Sequence, residues 1–472
     1  YKRQQQKIGC DYLKNNNEQF KKFLRSVFTV TLVIAQAAIF AYIWLTEYNN
    51  YIVLPFVSKG HWFFFAVYIL FMCIFLHSFD GLKYGVYRKA NIITAQTLAC
   101  IATAFVIYLQ IVLMSARFVT VLPLILMVLA DIAVIVLISS ISEWVLKKLF
   151  PPKKSLVVWD IYSPEAFLEK MATRKDKFSI NDIVNVSVGI DEIEKLVKNS
   201  ESVIIYDVHS EMRNKILKLC FENDVRAYTT SKISDILTRG AECVHLFDTP
   251  LLLYRNIGLT VEQRFFKRLL DILVSLILLT VTSPFFLISA IAIKLYDGGP
   301  VFFRQARGTL GGKVFYIHKF RSMIVDAEKD GAPHPAEEAD PRITPVGKIL
   351  RATRLDELPQ LIDILNGNMS LVGPRPERVE HIKQYTEKIP EFQYRLKVRG
   401  GLTGYAQLYG KYNTSPYDKL QLDLMYIENY SLLLDIRLIL MTVKIMFIKE
   451  STEGFSKEES KKITKKSKNE KK

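Results

Sequence analysis

The sequence predicts a protein of mixed class, membrane α plus α/β: a four-helix transmembrane bundle, a Rossmann-like α/β domain and a mainly α C-terminal domain with a re-entrant membrane helix. Three observations lead there. Four apolar runs, each close to the roughly 20 residues that a bilayer-crossing helix needs, lie before position 147. Short β-like runs alternate with helical stretches between Pro151 and Pro250. A fifth apolar run, Leu269 to Ile293, carries Ser283-Pro284 in its middle and basic residues on both flanks.

The four spans are Val27 to Leu45, Trp62 to Phe79, Ile93 to Met114 and Val119 to Ile141, within a membrane domain over 27–146. Trp44, Trp62 and Trp144 fall at span ends, where amphipathic rings favour the headgroup region. Basic residues set the orientation. Lys21, Lys22 and Arg25 precede the first span, Lys83, Arg88 and Lys89 separate the second from the third, and Lys147, Lys148, Lys153 and Lys154 follow the fourth. By the positive-inside rule these flanks are cytoplasmic, including the N-terminal segment 1–26, and so is everything after Lys147. No cleavable signal peptide is expected. Asp131 is almost the only intramembrane charge, too little polarity for a transporter's substrate path, and is expected to make a helix-packing or inter-subunit contact.

Composition agrees. Half of the 472 residues are hydrophobic, and 63 Lys and Arg against 47 Asp and Glu give a net charge of +16. Such an excess suits nucleic acid, anionic lipid or a phosphorylated substrate. The apolar spans select membrane lipids and phosphates, so nucleic acid is not an expected partner. The five cysteines are scattered without Cys-x-x-Cys spacing, which indicates neither a zinc site nor a disulfide framework.

The segment 151–255 has the strand and helix alternation of a cytoplasmic α/β domain with a parallel sheet. Its first β-like run is followed by Asp160, Ile161 and Tyr162 rather than a Gly-x-Gly-x-x-Gly turn, so no nucleotide is assigned to it. A structural or regulatory role is expected. In the fifth apolar run Pro284 removes a backbone hydrogen bond and kinks the helix, which lets residues 264–295 enter and leave by one face; the alternative that periodicity leaves open is a proline-kinked spanning helix.

Beyond it lies ILRATRLDELPQLIDILNGNMSLVGPRP, from Ile349 to Pro376. Leu358, Leu361, Ile362 and Leu365 recur at the spacing of one helix face, and Asp356 and Glu357 stand near that helix's N-terminal end. Adjacent helical residues point about 100° apart, so one carboxylate could attack phosphorus while the other holds a metal ion. Leu432 to Ile448 reads as an amphipathic helix on the membrane surface or as a packed core helix, and 449–472 as a disordered basic tail.

Five motifs in order carry a resemblance. KRLLDILVSLILLTVTSPFFL from Lys267, KFRSM at Lys319 to Met323, RLDELPQL at Arg354 to Leu361, MSLVGPRPE at Met369 to Glu377 and GLTGYAQLYGKYN at Gly401 to Asn413 together resemble the bacterial sugar transferases. These are polyprenyl-phosphate glycosyl-1-phosphate transferases, and the organisation of the whole chain is similar to their large exopolysaccharide- and capsule-type members. The resemblance implies a catalytic domain over 260–448 and a bacterial inner-membrane location. It implies a UDP-sugar donor, a polyprenyl phosphate acceptor and release of UMP, with a homodimer as a candidate assembly.

Carried over by motif, Asp356 is the nucleophile that forms an aspartyl phosphosugar, and Glu357, with Asp356 beside it, binds Mg²⁺. Arg351 and Arg375 are candidates for phosphate contacts, because a guanidinium fork matches phosphate oxygens, and Lys319 and Arg321 are further candidates. Gly404, with Gly400 and Gly401, would let backbone approach the nucleotide. The pattern departs at Gly400-Gly401, where many members have Pro-Gly. Lys267, Arg268 and Asp271 match the start of the family's hairpin, where basic heads would meet lipid phosphates, and Ser283 and Pro284 match its turn. A rival from another class is a membrane-anchored nucleotide-binding or regulatory protein without catalysis. The pair at 356 and 357 argues against it, and the absence of UMP release from any UDP-sugar would favour it.

Overall fold

The computed structural model describes residues 2–172, 174, 176–246, 248–254, 258–325, 327, 340–410 and 414–446. The expected tail over 449–472 lies outside them, as does most of the acidic stretch before Pro341. The chain divides into two compact units at Thr230 and Ser231.

The first unit begins with four helices, α1 (Lys2–Thr46), α2 (Lys59–Ser78), α3 (Lys89–Ser115) and α4 (Leu122–Leu149). Each is long and apolar enough to cross a membrane, α1 over Gln19–Thr46. They pack on one another: Phe40 of α1 stacks on Tyr68 of α2 at 4.2 Å, and Cys100 of α3 donates to Asp131 of α4 at 3.2 Å. Gln96 of α3 donates to the Gly81 carbonyl at 2.8 Å and accepts from Ser139 of α4 at 3.1 Å. Trp62 and Trp144 are exposed, as rings in a headgroup layer would be. Trp44 is not. It is fully buried, donating to His61 Nδ1 at 3.1 Å and lying 4.0 Å from Phe64, so its indole N–H is satisfied inside the protein.

The α/β part follows, with β1 (Lys153–Trp159), α5 (Glu165–Ala172), β2 (Phe178–Asn185), α6 (Ile190–Lys198), β3 (Ser202–Tyr206), α7 (Ser210–Glu222) and β4 (Arg226–Thr229). The sheet is parallel, ordered β2-β1-β3-β4. Leu156, Val157 and Val158 are all fully buried. Consecutive side chains point to opposite faces, so both faces are covered, as parallel sheets require.

The second unit comprises α8 (Ile233–Arg239), β5 (Glu242–Leu246), β6 (Thr249–Leu253), α9 (Val261–Asp297), β7 (Phe302–Gly308), β8 (Val314–Phe320), α10 (Pro345–Ala352), α11 (Gln360–Leu365), β9 (Ser370–Val372), α12 (Val379–Lys388), β10 (Gly401–Thr403), α13 (Tyr405–Tyr409), α14 (Pro416–Glu428) and α15 (Leu432–Met446). Strands β7 and β8 form an antiparallel hairpin, and β9 pairs with β10 in parallel. One core joins Phe315 and Ile317 of β8, Leu361 and Ile364 of α11, Leu371 of β9 and Leu424 of α14.

Helix α9 starts at a capping box in which Thr260 Oγ1 accepts from Gln263 N–H and Gln263 Oε1 accepts from Thr260 N–H. It stops at Gly298 in the left-handed conformation, with Pro284 inside. Its 37 residues, at 1.5 Å each, would measure about 55 Å if straight. Both ends dock on this unit: Lys267, Asp271 and Ser275 are buried at the start, Ser289 and Ile293 at the finish. Between them Ile277, Val281, Phe285, Leu287 and Ile288 are exposed.

Helix α15 turns its charges the other way from a surface helix. Asp435 and Lys444 are buried with Leu438 and Met441, while Leu433, Ile436 and Val443 face out. The reason is a partner inside: Lys267 of α9 stands 2.6 Å from Asp435.

Candidate active site

The residues at 356 and 357 do not begin a long helix. Helix α10 ends at Thr353, and Arg354 takes the left-handed conformation, φ 59°. A 3₁₀ turn then spans Leu355–Glu357 before the six-residue α11. A non-glycine residue in that region is strained by roughly 1 kcal/mol or more, and the turn it opens carries both carboxylates. The expected apolar face is also shifted. Gln360, Leu361, Asp363 and Ile364 are buried and Ile362 is exposed, because Asp363 is drawn inward by β8. There it accepts from His318 N–H at 2.8 Å and lies 2.7 Å from His318 Nδ1.

Glu357 Oε1 accepts from Lys319 Nζ of β8 at 2.9 Å and from Arg375 Nη2 at 2.7 Å. Its other oxygen bonds to none of the described residues, and neither carboxylate oxygen of Asp356 does. Burial pushes Glu357 up, but Arg375 and Lys319 outweigh it and hold the carboxyl well below its usual range. Asp356 goes the other way: burial and the charge of Glu357 raise it, against the pull of Lys319, Arg351 and Arg354. Burial also lowers Lys319, although Glu357 opposes that. The result is one fixed anion inside a cationic clamp, next to a second carboxylate that bonds to none of the described residues.

The expected residues separate into two groups. Asp356, Glu357, Lys319 and Arg375 meet, with Arg351 acting on Asp356 through its charge alone. Arg321 is elsewhere: it pairs with Asp297 and donates to the Pro300 carbonyl at 2.7 Å, anchoring the C-terminal end of α9. Lys267, Arg268 and Asp271 also face inward rather than toward lipid. Arg268 donates to the carbonyls of Ile364 and Leu365, the end of α11, at 2.5 and 2.6 Å. Asp271 Oδ1 accepts from Ser370 Oγ and Leu371 N–H at 3.0 and 2.9 Å. Ser283, one residue before Pro284, donates within its own helix to the Thr280 carbonyl at 2.8 Å. Gly404 is needed for packing: any Cβ there would collide with the Gly373 carbonyl, and one at Gly401 with the Gly373 backbone. This close approach lets β10 run beside β9 and its Pro-Arg-Pro sequel.

Residues 262–449 match the bacterial sugar transferase family. The exopolysaccharide production protein PSS of Rhizobium leguminosarum bv. phaseoli is 40% identical over 198 residues, covering 40% of this chain and 96% of that protein. The chain belongs to the bacterial sugar transferase family. Every residue of the carboxylate cluster falls inside the matched region. Two longer relatives are also similar. The UDP-glucose:undecaprenyl-phosphate glucose-1-phosphate transferase of Klebsiella pneumoniae is 38% identical over 279 residues, 58% of each chain. The UDP-N-acetylgalactosamine-undecaprenyl-phosphate N-acetylgalactosaminephosphotransferase of Aeromonas hydrophila is 39% identical over 235 residues, 49% of this chain and 54% of its own. The chain thus spans little more than half the length of these two.

Within the transferase region an outer layer lies mostly beyond the motifs, with Glu377, the last residue of MSLVGPRPE, as its one motif member. Arg307, Glu377, Arg395 and Asp423 surround the Pro-Arg-Pro segment. One signal was available: Asp363 in LIDIL and Asp423 in LQLDLMYI are acids within apolar runs, the pattern of a buried and paired carboxylate.

Proposed function

We propose that the chain transfers a sugar 1-phosphate from a UDP-sugar to polyprenyl phosphate at the bacterial inner membrane, starting the repeat unit of a cell-surface polysaccharide. The observation that carries this is the bare carboxylate of Asp356 beside Glu357, which Lys319 and Arg375 hold ionised. Relatives whose names specify UDP-sugars and undecaprenyl phosphate support the substrate classes.

In the first half-reaction an Asp356 oxygen attacks the sugar-bearing phosphorus, the bond to the bridging oxygen breaks, and UMP leaves with that electron pair. In the second, a phosphate oxygen of the polyprenyl phosphate attacks the aspartyl phosphosugar. The carboxylate is released and a lipid diphosphate sugar forms. Splitting the transfer lets a soluble donor and a lipid acceptor use one small site in turn. Lys319, Arg351 and Arg375 provide positive charge where phosphate charge develops.

The residues fit a Mg²⁺ ion. Glu357 is ionised and keeps one oxygen uncommitted, and Asp356 lies next to it. No group of three or more candidate ligands occurs among the described residues. This suits an ion that takes its remaining ligands from water and diphosphate. Bound there, it would neutralise diphosphate charge.

The basic flanks of the spans support a catalytic domain on the cytoplasmic side. A re-entrant α9 is supported by its two docked ends and exposed apolar middle. The test uses the full chain in nanodiscs with a panel of UDP-sugars. One equivalent of UMP should appear without acceptor, with the sugar phosphate mass on Asp356, and turnover should require polyprenyl phosphate. Full turnover by Asp356→Asn would overturn the assignment.

A further inference from the structure

The Arg375 side chain reaches Glu357, but what holds Arg375 is its own backbone. Pro374 and Pro376 on either side have φ locked near −65°. The Arg375 carbonyl accepts from Arg395 Nη2 at 2.9 Å, and the next carbonyl, of Pro376, accepts from Arg307 Nη1 at 3.0 Å. Two guanidinium groups therefore grip successive peptide units of the motif.

Arg395 is 3% exposed and Asp423, on α14, 1%. Arg395 Nη2 lies 2.7 Å from Asp423 Oδ2, and its Nη1 lies 3.7 Å from Glu377 Oε1. Neither Arg395 nor Asp423 bonds to Asp356 or Glu357. A buried ion pair contributes little stability over a well-packed apolar pair of the same volume. Its distinctive product here is direction, one guanidinium nitrogen, Nη2, aimed at one carbonyl.

We infer that Arg395 and Asp423 are positioning residues, a buried pair that holds the Pro-Arg-Pro backbone so that the Arg375 guanidinium meets Glu357. The inference rests on the proposed transferase reading for its effect on turnover, though not for its geometry. Asp423 orients Arg395, Arg395 fixes the Arg375 carbonyl, and the Arg375 side chain completes the clamp on Glu357.

The experiment uses the full chain in nanodiscs. Asp423→Asn keeps the shape and removes the charge; it should lower kcat by about 10- to 100-fold, the usual cost of losing an orienting partner, with little change in KM for the UDP-sugar. Combined with Arg375→Ala it should add nothing beyond Arg375→Ala alone, because both changes break one chain of contacts. A readout independent of turnover is the rate at which phenylglyoxal modifies Arg375, followed by peptide mass mapping. That rate should rise in Asp423→Asn and stay at the wild-type value in Glu387→Gln, a change at an exposed acid of α12. If Asp423→Asn does not fold, Arg395→Lys, which keeps the charge and loses the fork, should show the same pattern. Additive losses in the double variant, or unchanged Arg375 reactivity, would overturn the inference. A wild type that releases no UMP from any UDP-sugar would instead overturn the transferase reading, and the phenylglyoxal rates would still decide the positioning role.

Discussion

Arg375 and Lys319 converge on a single oxygen of Glu357, at 2.7 and 2.9 Å, and among the described residues none bonds to its other oxygen or to the carboxylate of Asp356. The two neighbouring acids thus differ in setting: Glu357 is held by two cations, and Asp356 is not.

Replacing the fixed acid tests that difference. Glu357→Gln leaves Lys319 and Arg375 facing a neutral amide, and removing one partner of a mostly buried charge cluster is destabilising. A drop of about 5 °C in melting midpoint is expected. Turnover should fall on the order of 10²-fold or more, the scale of losing electrostatic preorganisation. Unchanged melting and turnover would mean that the clamp is incidental.

Acid should remove activity before it removes the fold. Asp356, the proposed nucleophile, is raised in the folded protein by burial and by the charge of Glu357, so its ionised form is lost earlier on acidification than that of an ordinary carboxylate. Asp423, facing Arg395, Glu377 and Lys419, is pushed up to about 6 by burial, so its charge too is lost in mild acid. Such raised groups favour the fold most at low pH and lose that contribution as pH rises through their folded values. Glu357 is depressed, and its contribution persists at neutral pH and is lost only as pH falls through its own low value. Rate and melting midpoint measured from pH 4 to 8 should therefore separate, with the rate failing first.

The start of α9 supplies a stability test away from the carboxylates. Lys267→Ala strands Asp435, 1% exposed, without its ammonium partner. The expected cost is about 3 kcal/mol or more, because a lone buried charge is left behind. Lys267→Met with Asp435→Leu should recover most of it, measured by thermal unfolding in detergent; a double variant as unstable as the single would refute the pairing.

Topology of α9 is checked by labelling. In a variant without native cysteines, single cysteines at Arg264 and Tyr296 should react with an impermeant maleimide from the same, cytoplasmic, side of the membrane. Labelling from opposite sides would make α9 a spanning helix.

The spans, the parallel α/β alternation and the carboxylate motif were legible because each is written locally. A lipid-facing helix must be apolar along its length, a buried parallel strand must be apolar on both faces, and a motif keeps its chemistry within a few residues. At Trp44, Lys267 and Arg321 the same local logic does not reach the contacts that form. An indole, an ammonium or a guanidinium at the end of an apolar run suits a headgroup or phosphate, until a partner distant in sequence is folded against it. His61, Asp435 and Asp297 are those partners.

The order of residues by itself determined where an acid pair stands among basic residues and which segments are long and apolar enough to cross a bilayer. Only the tertiary structure decided that Glu357 is the clamped anion and Asp356 the free one. That choice depends on β8 and the Pro-Arg-Pro segment bringing Lys319 and Arg375 to one oxygen, from 38 residues before Glu357 and 18 after it. Charge interactions fall off with distance in space, and sequence separation does not measure it.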